Sequence, residues 1–180
     1  MRIIGGKFKG LRINPPGKLP VRPTTDRSKE ALFNVLEYKL NLSGAEALDL
    51  FAGTGSVSFE LASRGVESVL AMDIHFNCVD YIRKTARELE MNNLQVRRGN
   101  VLKFIKSHNQ AYDFIFVDPP YDLAELAQIP EVIISRGMLK EEGWLVLEYP
   151  TLRQIPDHPS LVETRQYGGS SFNFYQYKGV

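Results

Sequence analysis

The stretch DPPY, residues 118–121, places a carboxylate, two rigid prolines and an aromatic ring directly after the apolar run YDFIFV. The exocyclic amine of a nucleobase is a poor nucleophile because its lone pair is delocalised into the ring. Asp118 and the Pro119 carbonyl could each accept one N–H of such an amine, which would direct the lone pair at an electrophile. Tyr121 could stack on the base. The alternatives are a general-base role for Asp118 and a plain turn after a strand.

Two glycines, Gly53 and Gly55, follow the apolar run EALDLF, which contains Asp49. Glycines between a strand and a helix let a ligand approach the backbone closely. Ser58 stands where a third dinucleotide-type glycine would be expected, so an NAD site is weakly supported. Asp49 would repel a pyrophosphate and suits a ligand that carries an ammonium group. The alternative is an ordinary tight turn with a capping aspartate.

Two further apolar runs are followed by polar side chains, Asp73 after SVLAM and Asn100 after LQVRRG. The carboxylate of Asp73 could accept hydrogen bonds from both hydroxyls of a ribose. The amide of Asn100 offers a donor and an acceptor, which fits the edge of an adenine. Each residue could instead cap a helix, Asp73 the one that begins near Phe76 and Asn100 the one that begins at Val101.

Strand and helix patterns alternate from residue 45 onward, which predicts a Rossmann-like α/β fold. We expect a mostly parallel, seven-stranded sheet with helices on both faces and an antiparallel C-terminal edge hairpin. The predicted elements are strands over 46–51, 68–73, 94–99, 112–118 and 143–149, helices over 24–40, 56–64, 76–92 and 101–108, an interrupted helix over 123–136 and a hairpin over 161–178. Ligands of such sheets bind at the carboxyl ends of the strands, where the residues above lie.

The length of 180 residues predicts one domain over 1–180, in which residues 1–25 form a basic arm with a short strand pair. No apolar run is long enough to span a membrane, and no secretory signal is expected. Cys78 is the single cysteine, so neither a disulfide framework nor a multi-cysteine metal site is expected. We expect a metal-free protein of the reducing cytoplasm.

The net charge of +1 conceals an asymmetry along the chain. Residues 1–29 contain eight Lys or Arg and one acidic residue, a charge of +7, and the remainder contains 14 basic and 20 acidic residues, a charge of −6. Such a segment indicates contact with a polyanion, or else a solvated, partly flexible tail.

The segments RIIGGKFKGLRI, RPTTDRSKEALFNVL and LDLFAGTGSVSFELASRG, together with DPPY, resemble the RsmD family of bacterial methyltransferases. The resemblance runs from residue 2 to about residue 122, and GGSSFNFYQY resembles the family's closing strands. It implies transfer of a methyl group from S-adenosylmethionine to the exocyclic N2 of a guanine in small-subunit (16S) ribosomal RNA, free or within the 30S particle. It also implies a class I methyltransferase fold, and we expect a monomer.

The resemblance assigns site residues in three groups. Those implied to hold the cofactor are Asp49, Phe51, Gly53, Gly55, Asp73, Asn100 and Val101. Those implied to position the guanine amine are Asp118, Pro119 and Tyr121. Those implied to contact the RNA or close over the site are Arg2, Lys7, Lys9, Arg12, Arg22, Thr24, Thr25 and Arg27.

Two other readings of the sequence remain. An amino-methyltransferase of the same fold could act on DNA adenine or cytosine, or on protein glutamine. A non-enzymatic RNA-binding or ribosome-assembly module could retain the scaffold, although such a module would have no need of all four of Asp49, Asp73, Asn100 and Asp118.

Overall fold

The computed structural model describes residues 1–20 and 26–179. The helices are α1 (Asp26–Lys39), α2 (Ser56–Ser63), α3 (Phe76–Glu88), α4 (Val101–Ser107) and α5 (Ile129–Ser135), with a 3₁₀ turn over Ala124–Gln128 before α5. The strands are β1 (Glu46–Leu50), β2 (Ser68–Asp73), β3 (Leu94–Arg98), β4 (Tyr112–Val117), β5 (Leu139–Pro150), β6 (Leu161–Tyr167) and β7 (Ser170–Gln176).

The seven strands form one sheet in the order β3-β2-β1-β4-β5-β7-β6. Strands β1 to β5 are parallel to one another, whereas β7 is antiparallel to both β5 and β6. The chain leaves β1 toward β2 on one side and later returns to β4 on the other, which creates a switch point at the carboxyl end of β1. The prediction of a mostly parallel sheet with an antiparallel edge hairpin is confirmed.

Buried side chains pack in one layer on each face of the sheet. The first layer joins alternate strand residues such as Phe116 and Val146 to residues of α1, α2 and α3, among them Leu32 and Ile82. The second layer joins the intervening strand residues, such as Val117, to α4 and α5. This alternation follows from the two-residue period of a strand, and both faces are apolar because both are covered by helices.

Residues 1–14 fold back as a short antiparallel pairing, with a bridge between Arg2 and Arg12 and backbone hydrogen bonds from Ile3 to Leu11 at 2.9 Å and from Ile13 to Met1 at 3.0 Å. The segment is also held by α2. The Glu60 carboxylate accepts the backbone N–H groups of Ile4 and Gly5, each at 2.8 Å. Since these two N–H groups bond to a side chain, the antiparallel pairing does not extend beyond Ile3. The described part of the arm is therefore a docked segment, not the solvated tail considered above.

The predicted interrupted helix divides at Gln128, where the 3₁₀ turn ends and α5 begins. Pro130 lies in the first turn of α5, a position that needs no backbone N–H donor, so it starts this helix rather than breaking it. Strand β5 begins four residues earlier than predicted, at Leu139. Among the described residues, no helix combines the length and the apolar character that a membrane crossing requires.

Candidate active site

The strand register sets the spacing of the predicted site residues. Leu50, the last residue of β1, pairs with Met72 on one side and Val117 on the other. Asp73 and Asp118 each lie one residue further along, on either side of the loop that leaves β1. Neighbouring strands are about 4.8 Å apart, so the backbones of these two aspartates lie about 10 Å apart across that loop.

The loop after β1 turns through left-handed backbone three times, at Phe51, Gly53 and Gly55, with φ of 63°, 55° and 76°. Glycine adopts this conformation freely, whereas a phenylalanine there costs about 1–3 kcal/mol, a strain that is typical of ligand sites. The backbone N–H of Gly53 donates to Oδ2 of Asp73 at 2.9 Å. A Cβ at Gly55 would lie 2.8 Å from Ile82, so this glycine is also required for packing against α3.

Asp49 lies inside β1 and is 1% exposed. The Ser58 hydroxyl on α2 donates a short hydrogen bond to Oδ2 of Asp49. Burial raises the pKa of Asp49 to about 7, the Ser58 hydrogen bond opposes that rise, and the nearby charge of Asp73 adds to it. Ser58, which stands in the position of the third dinucleotide-type glycine, thus orients the Asp49 carboxylate beside the loop. The sequence did not predict this role of Ser58.

Asp73 is 5% exposed and accepts two backbone N–H groups, from Gly53 on Oδ2 and from His75 on Oδ1 at 2.8 Å. It does not cap α3, whose N-cap is His75. Ionised carboxylate oxygens have about four acceptor positions, so Asp73 retains capacity for a ligand. Ile74 and Phe76 follow it in the sequence with 49% and 58% exposure, and the Arg98 guanidinium lies 5.8 Å from the centroid of the Phe76 ring.

Asn100 adopts the capping role considered above, because its Oδ1 accepts the backbone N–H of Lys103 at 3.0 Å. Its side chain is exposed, and an amide NH₂ supplies two donors in addition to the capping oxygen. Val101 is buried in the second core layer, where Met72 also lies. Asn100 and Val101 are thus fixed at the start of α4, next to the end of β3.

The turn Asp118–Tyr121 follows β4 directly, and the backbone N–H of its first residue still bonds to the neighbouring strand β1. The Asp118 N–H donates to the Leu50 carbonyl at 3.3 Å. Pro119 is buried, Pro120 is exposed, and the Pro120 carbonyl accepts the N–H of Leu123 at 3.0 Å. The proline rings therefore fix the φ angles of Pro119 and Pro120, and the hydrogen bond from Leu123 to Pro120 closes the turn.

Two residues from the C-terminal third hold this turn, and sequence reasoning missed both. The Arg153 guanidinium donates to the carbonyls of Tyr121 and Leu123, each at 2.8 Å. The Tyr121 hydroxyl shares a hydrogen bond of 3.0 Å with the Ser170 hydroxyl of β7. No spacing in the sequence links residue 121 to residues 153 and 170, since they meet only through the pairing of β5 with β7.

A fourth carboxylate, Glu148, lies at the same edge of the sheet. Val117 pairs with Leu147, so Asp118 and Glu148 occupy the next position on neighbouring strands. Glu148 is 4% exposed. The available signal was an acid near the end of the apolar run GWLVLEY, the same pattern that marked Asp49.

The exposed cations of the predicted RNA-contacting group are Arg2, Lys7, Lys9, Arg12 and Arg27. Arg22, Thr24 and Thr25 lie outside the described residues.

One cation of the basic segment, Lys29, is not a surface group. It is 1% exposed, donates to the Arg2 carbonyl at 2.7 Å and lies 3.5 Å from Glu60. Burial lowers the pKa of Lys29, an effect that Glu60 partly offsets.

Comparison with known proteins places the chain in a family. A family model described as Conserved hypothetical protein 95 matches residues 1–176. The chain belongs to this family, the RsmD family. The Bacillus subtilis protein YlbH is 31% identical over 99% of this chain and 100% of its own.

Other relatives are similar to this chain in sequence and in fold. A protein named Ribosomal RNA small subunit methyltransferase D from Escherichia coli strain K12 is 28% identical over 98% of this chain and 89% of its own. The solved structure of the Escherichia coli protein YhhF superposes with a TM-score of 0.87 at 28% identity, covering 100% of this chain and 99% of that one. The predictions of an RsmD-family methyltransferase and of its fold are confirmed.

Proposed function

We propose that this protein transfers a methyl group from S-adenosylmethionine to the exocyclic N2 of a guanine in 16S ribosomal RNA. The whole chain acts as one cytoplasmic, monomeric methyltransferase domain. The observation that carries this proposal is the Arg153-anchored turn Asp118–Tyr121 beside the strained glycine loop at the switch point of the sheet. The name of the Escherichia coli relative supports a small-subunit RNA as the substrate.

The residues at the switch point fit S-adenosylmethionine by their donor and acceptor chemistry. Asp49 is a buried carboxylate beside the loop and suits the ammonium of the methionine moiety. Asp73, with unused acceptor capacity, suits the two ribose hydroxyls, and exposed Ile74 and Phe76 suit the flat face of the adenine. The NH₂ of Asn100 would donate to the adenine edge, since its oxygen caps α4.

When bound, S-adenosylmethionine supplies an electrophilic methyl group on a sulfonium. The Asp118 carboxylate and the Pro119 carbonyl each accept one N–H of the guanine amine, so the nitrogen lone pair faces the methyl group. Tyr121 would stack on the unstacked base, and the Asp118 carboxylate would accept the proton that the amine releases after transfer. The rate enhancement comes mainly from holding the amine in line with the methyl group.

The basic arm supplies the phosphate contacts. Arg2, Lys7, Lys9, Arg12 and Arg27 are exposed, and the hydrogen bonds between Glu60 and the arm fix the backbone that carries the first of these cations. A preformed basic surface loses less conformational entropy on binding than a flexible tail. RNA binding should weaken as the salt concentration rises, because the contacts between these cations and the phosphates release counterions.

Transfer of radiolabelled methyl from S-adenosylmethionine tests the proposal. The acceptors compared are 16S RNA, 30S particles from cells that lack the protein, duplex DNA and a glutamine-containing peptide. Label recovered as N2-methylguanosine supports the proposal. Label on DNA or on glutamine would show that the acceptor is DNA or protein rather than RNA. Failure to bind S-adenosylmethionine would favour a non-enzymatic RNA-binding module.

A further inference from the structure

We propose that Glu148 determines the specificity of the acceptor site for guanine by accepting a hydrogen bond from N1–H of the base. This inference rests on the proposed function and adds a reader of the base to it. Asp118 and Pro119 hold the amine that reacts, whereas Glu148 would recognise the ring atom beside that amine.

The position of Glu148 follows from the register of β4 and β5. Phe116 and Val146 are register partners, and both side chains lie in the first core layer. Side chains alternate between the two faces of a strand, so Asp118 and Glu148, two residues further on, return to that same face. Parallel strands lie about 4.8 Å apart, which places the two carboxylates side by side at the end of the sheet.

Asp118 and Glu148 lie on the same face of the sheet as Asp49 and Asp73, the two carboxylates proposed to hold the cofactor. Asp49 alternates with Leu48 and Leu50, which belong to the second core layer, so its carboxylate is on the first face. Asp73 follows Ala71, a residue of the first layer, by two positions. The edge of the sheet from β2 to β5 therefore presents, in spatial order, a ribose acceptor, an ammonium acceptor, an amine acceptor and Glu148.

Guanine is the RNA base whose chemistry matches two adjacent acceptors at this place. Its N1–H and its C2 amine lie next to each other on one edge, and both are hydrogen-bond donors. Adenine has an unprotonated N1, which would face a carboxylate with a lone pair. A carboxylate has about four acceptor positions, so a contact of Glu148 within the protein is compatible with a further one to the base.

Burial makes the recognition selective. Glu148 is 4% exposed, so water is largely excluded from competition for its oxygen atoms. A base without N1–H would leave this carboxylate facing an acceptor, and sites built around such a hydrogen bond reject the analogue that lacks it by about 10⁴–10⁵-fold. The surrounding surface is rigid because Glu148 pairs with Phe172 of β7, a fully buried residue.

The test uses acceptor RNA in which the methylated guanosine, once mapped, is replaced by 2-aminopurine riboside. That base keeps the C2 amine but has an unprotonated N1. We expect the wild-type protein to methylate guanine at least about 100-fold more efficiently, in kcat/KM, than 2-aminopurine. A 6-thioguanosine substitution, which keeps N1–H and alters only the 6-position, is the control and should remain a substrate.

The variant Glu148→Gln supplies the second arm. Its amide NH₂ can donate to an unprotonated N1, so the guanine preference should fall to about tenfold or less. An unchanged ratio in a variant that still binds S-adenosylmethionine would overturn the proposal, because Glu148 would then not read N1 of the base. Calorimetric binding of S-adenosylmethionine confirms that the variant is folded, and the wild-type ratio alone decides if it is not.

The outcome separates this inference from the proposed function. If the wild-type protein produces no N2-methylguanosine, the proposed function fails. If it methylates guanine and 2-aminopurine equally well, the proposed function stands and the role of Glu148 is refuted.

Discussion

The Arg153 guanidinium donates to the carbonyl oxygen of Tyr121 at 2.8 Å and so ties the β5–β6 connection to the turn after β4. A second N–H of the same guanidinium reaches the Leu123 carbonyl at 2.8 Å. The planar guanidinium thereby fixes two points of one turn, which a lysine could not do with the same geometry. The C-terminal third of the chain thus contributes to the candidate active site without supplying a residue that reacts.

Replacing this anchor tests whether it positions the turn. Arg153→Gln should lower kcat by about tenfold to 100-fold, because small displacements of a positioned group have effects of that size. The Kd for S-adenosylmethionine should not change, since the Arg153 guanidinium donates to the carbonyls of Tyr121, Leu123 and Ala124, none of which belongs to the group implied to hold the cofactor. Steady-state kinetics and calorimetry measure the two quantities, with Arg136→Gln, an exposed arginine on the surface near α5, as the control. An unchanged kcat would mean that the turn keeps its shape without Arg153.

Asp118 has a matched control four residues away in the same segment, the exposed Asp122. Asp118→Ala should abolish methyl transfer, a loss of at least about 100-fold, because the acceptor that orients the amine is removed. Cofactor affinity should remain nearly intact. Asp122→Ala should retain activity. Equal loss of activity and cofactor affinity in Asp118→Ala would contradict the role assigned to this carboxylate.

Sequence patterns predicted the sheet because its strands are covered on both faces and therefore read as continuous apolar runs. SVLAMD matches β2 to the residue, and the hairpin turn falls at Gly168–Gly169 as predicted. The docking of the arm on α2 was not predictable, because it depends on bonds from the arm backbone to the Glu60 side chain, a long-range contact that alternation and turn residues do not reveal.

The arm docks closely at Gly6, where a Cβ would lie 1.8 Å from the Ser63 carbonyl oxygen. Gly10 has a similar left-handed backbone, with φ of 90° against 75° at Gly6, but nothing lies within 4 Å of its Cβ position. Gly10→Ala should therefore lower the free energy of unfolding by about 1–2 kcal/mol from backbone strain.

Gly6→Ala should cost about 1–3 kcal/mol more than Gly10→Ala, because overpacking adds to the same strain. Urea denaturation of both variants measures the difference. Equal losses would show that the arm is not packed against α2 in solution.

Asp49 makes stability depend on pH in a defined direction. Its pKa is about 7 in the folded protein, against 3.8 for an ordinary aspartate, so between these values the folded state binds more protons than the unfolded state. The free energy of unfolding from this group therefore falls as pH rises from about 4 to about 7 and is level above that range.

The variant Asp49→Asn removes this titration. Relative to the wild-type protein, it should become progressively more stable as the pH is raised from 5 to about 7, and the difference should level off above that. Urea unfolding at each pH gives the difference. A difference that does not vary with pH would show that Asp49 titrates normally.

The residues of the candidate site were predictable from the sequence where they lie at or near the end of a buried strand. Asp73 and Asp118 stand out because each charged side chain ends a buried run, and Asp49 stands out because it lies within a buried run just before Gly53 and Gly55. Glu148 also lies near the end of an apolar run, but only the pairing of β4 with β5 places it beside Asp118. Sequence order separates these two residues by 30 positions, and topology alone makes them neighbours.

Nucleoside analysis of 16S ribosomal RNA from cells that lack this protein tests the central claim most directly. The account predicts that one N2-methylguanosine disappears, that the wild-type gene restores it, and that a gene encoding Asp118→Ala does not. An unchanged content of N2-methylguanosine in the cells that lack the protein would contradict the account.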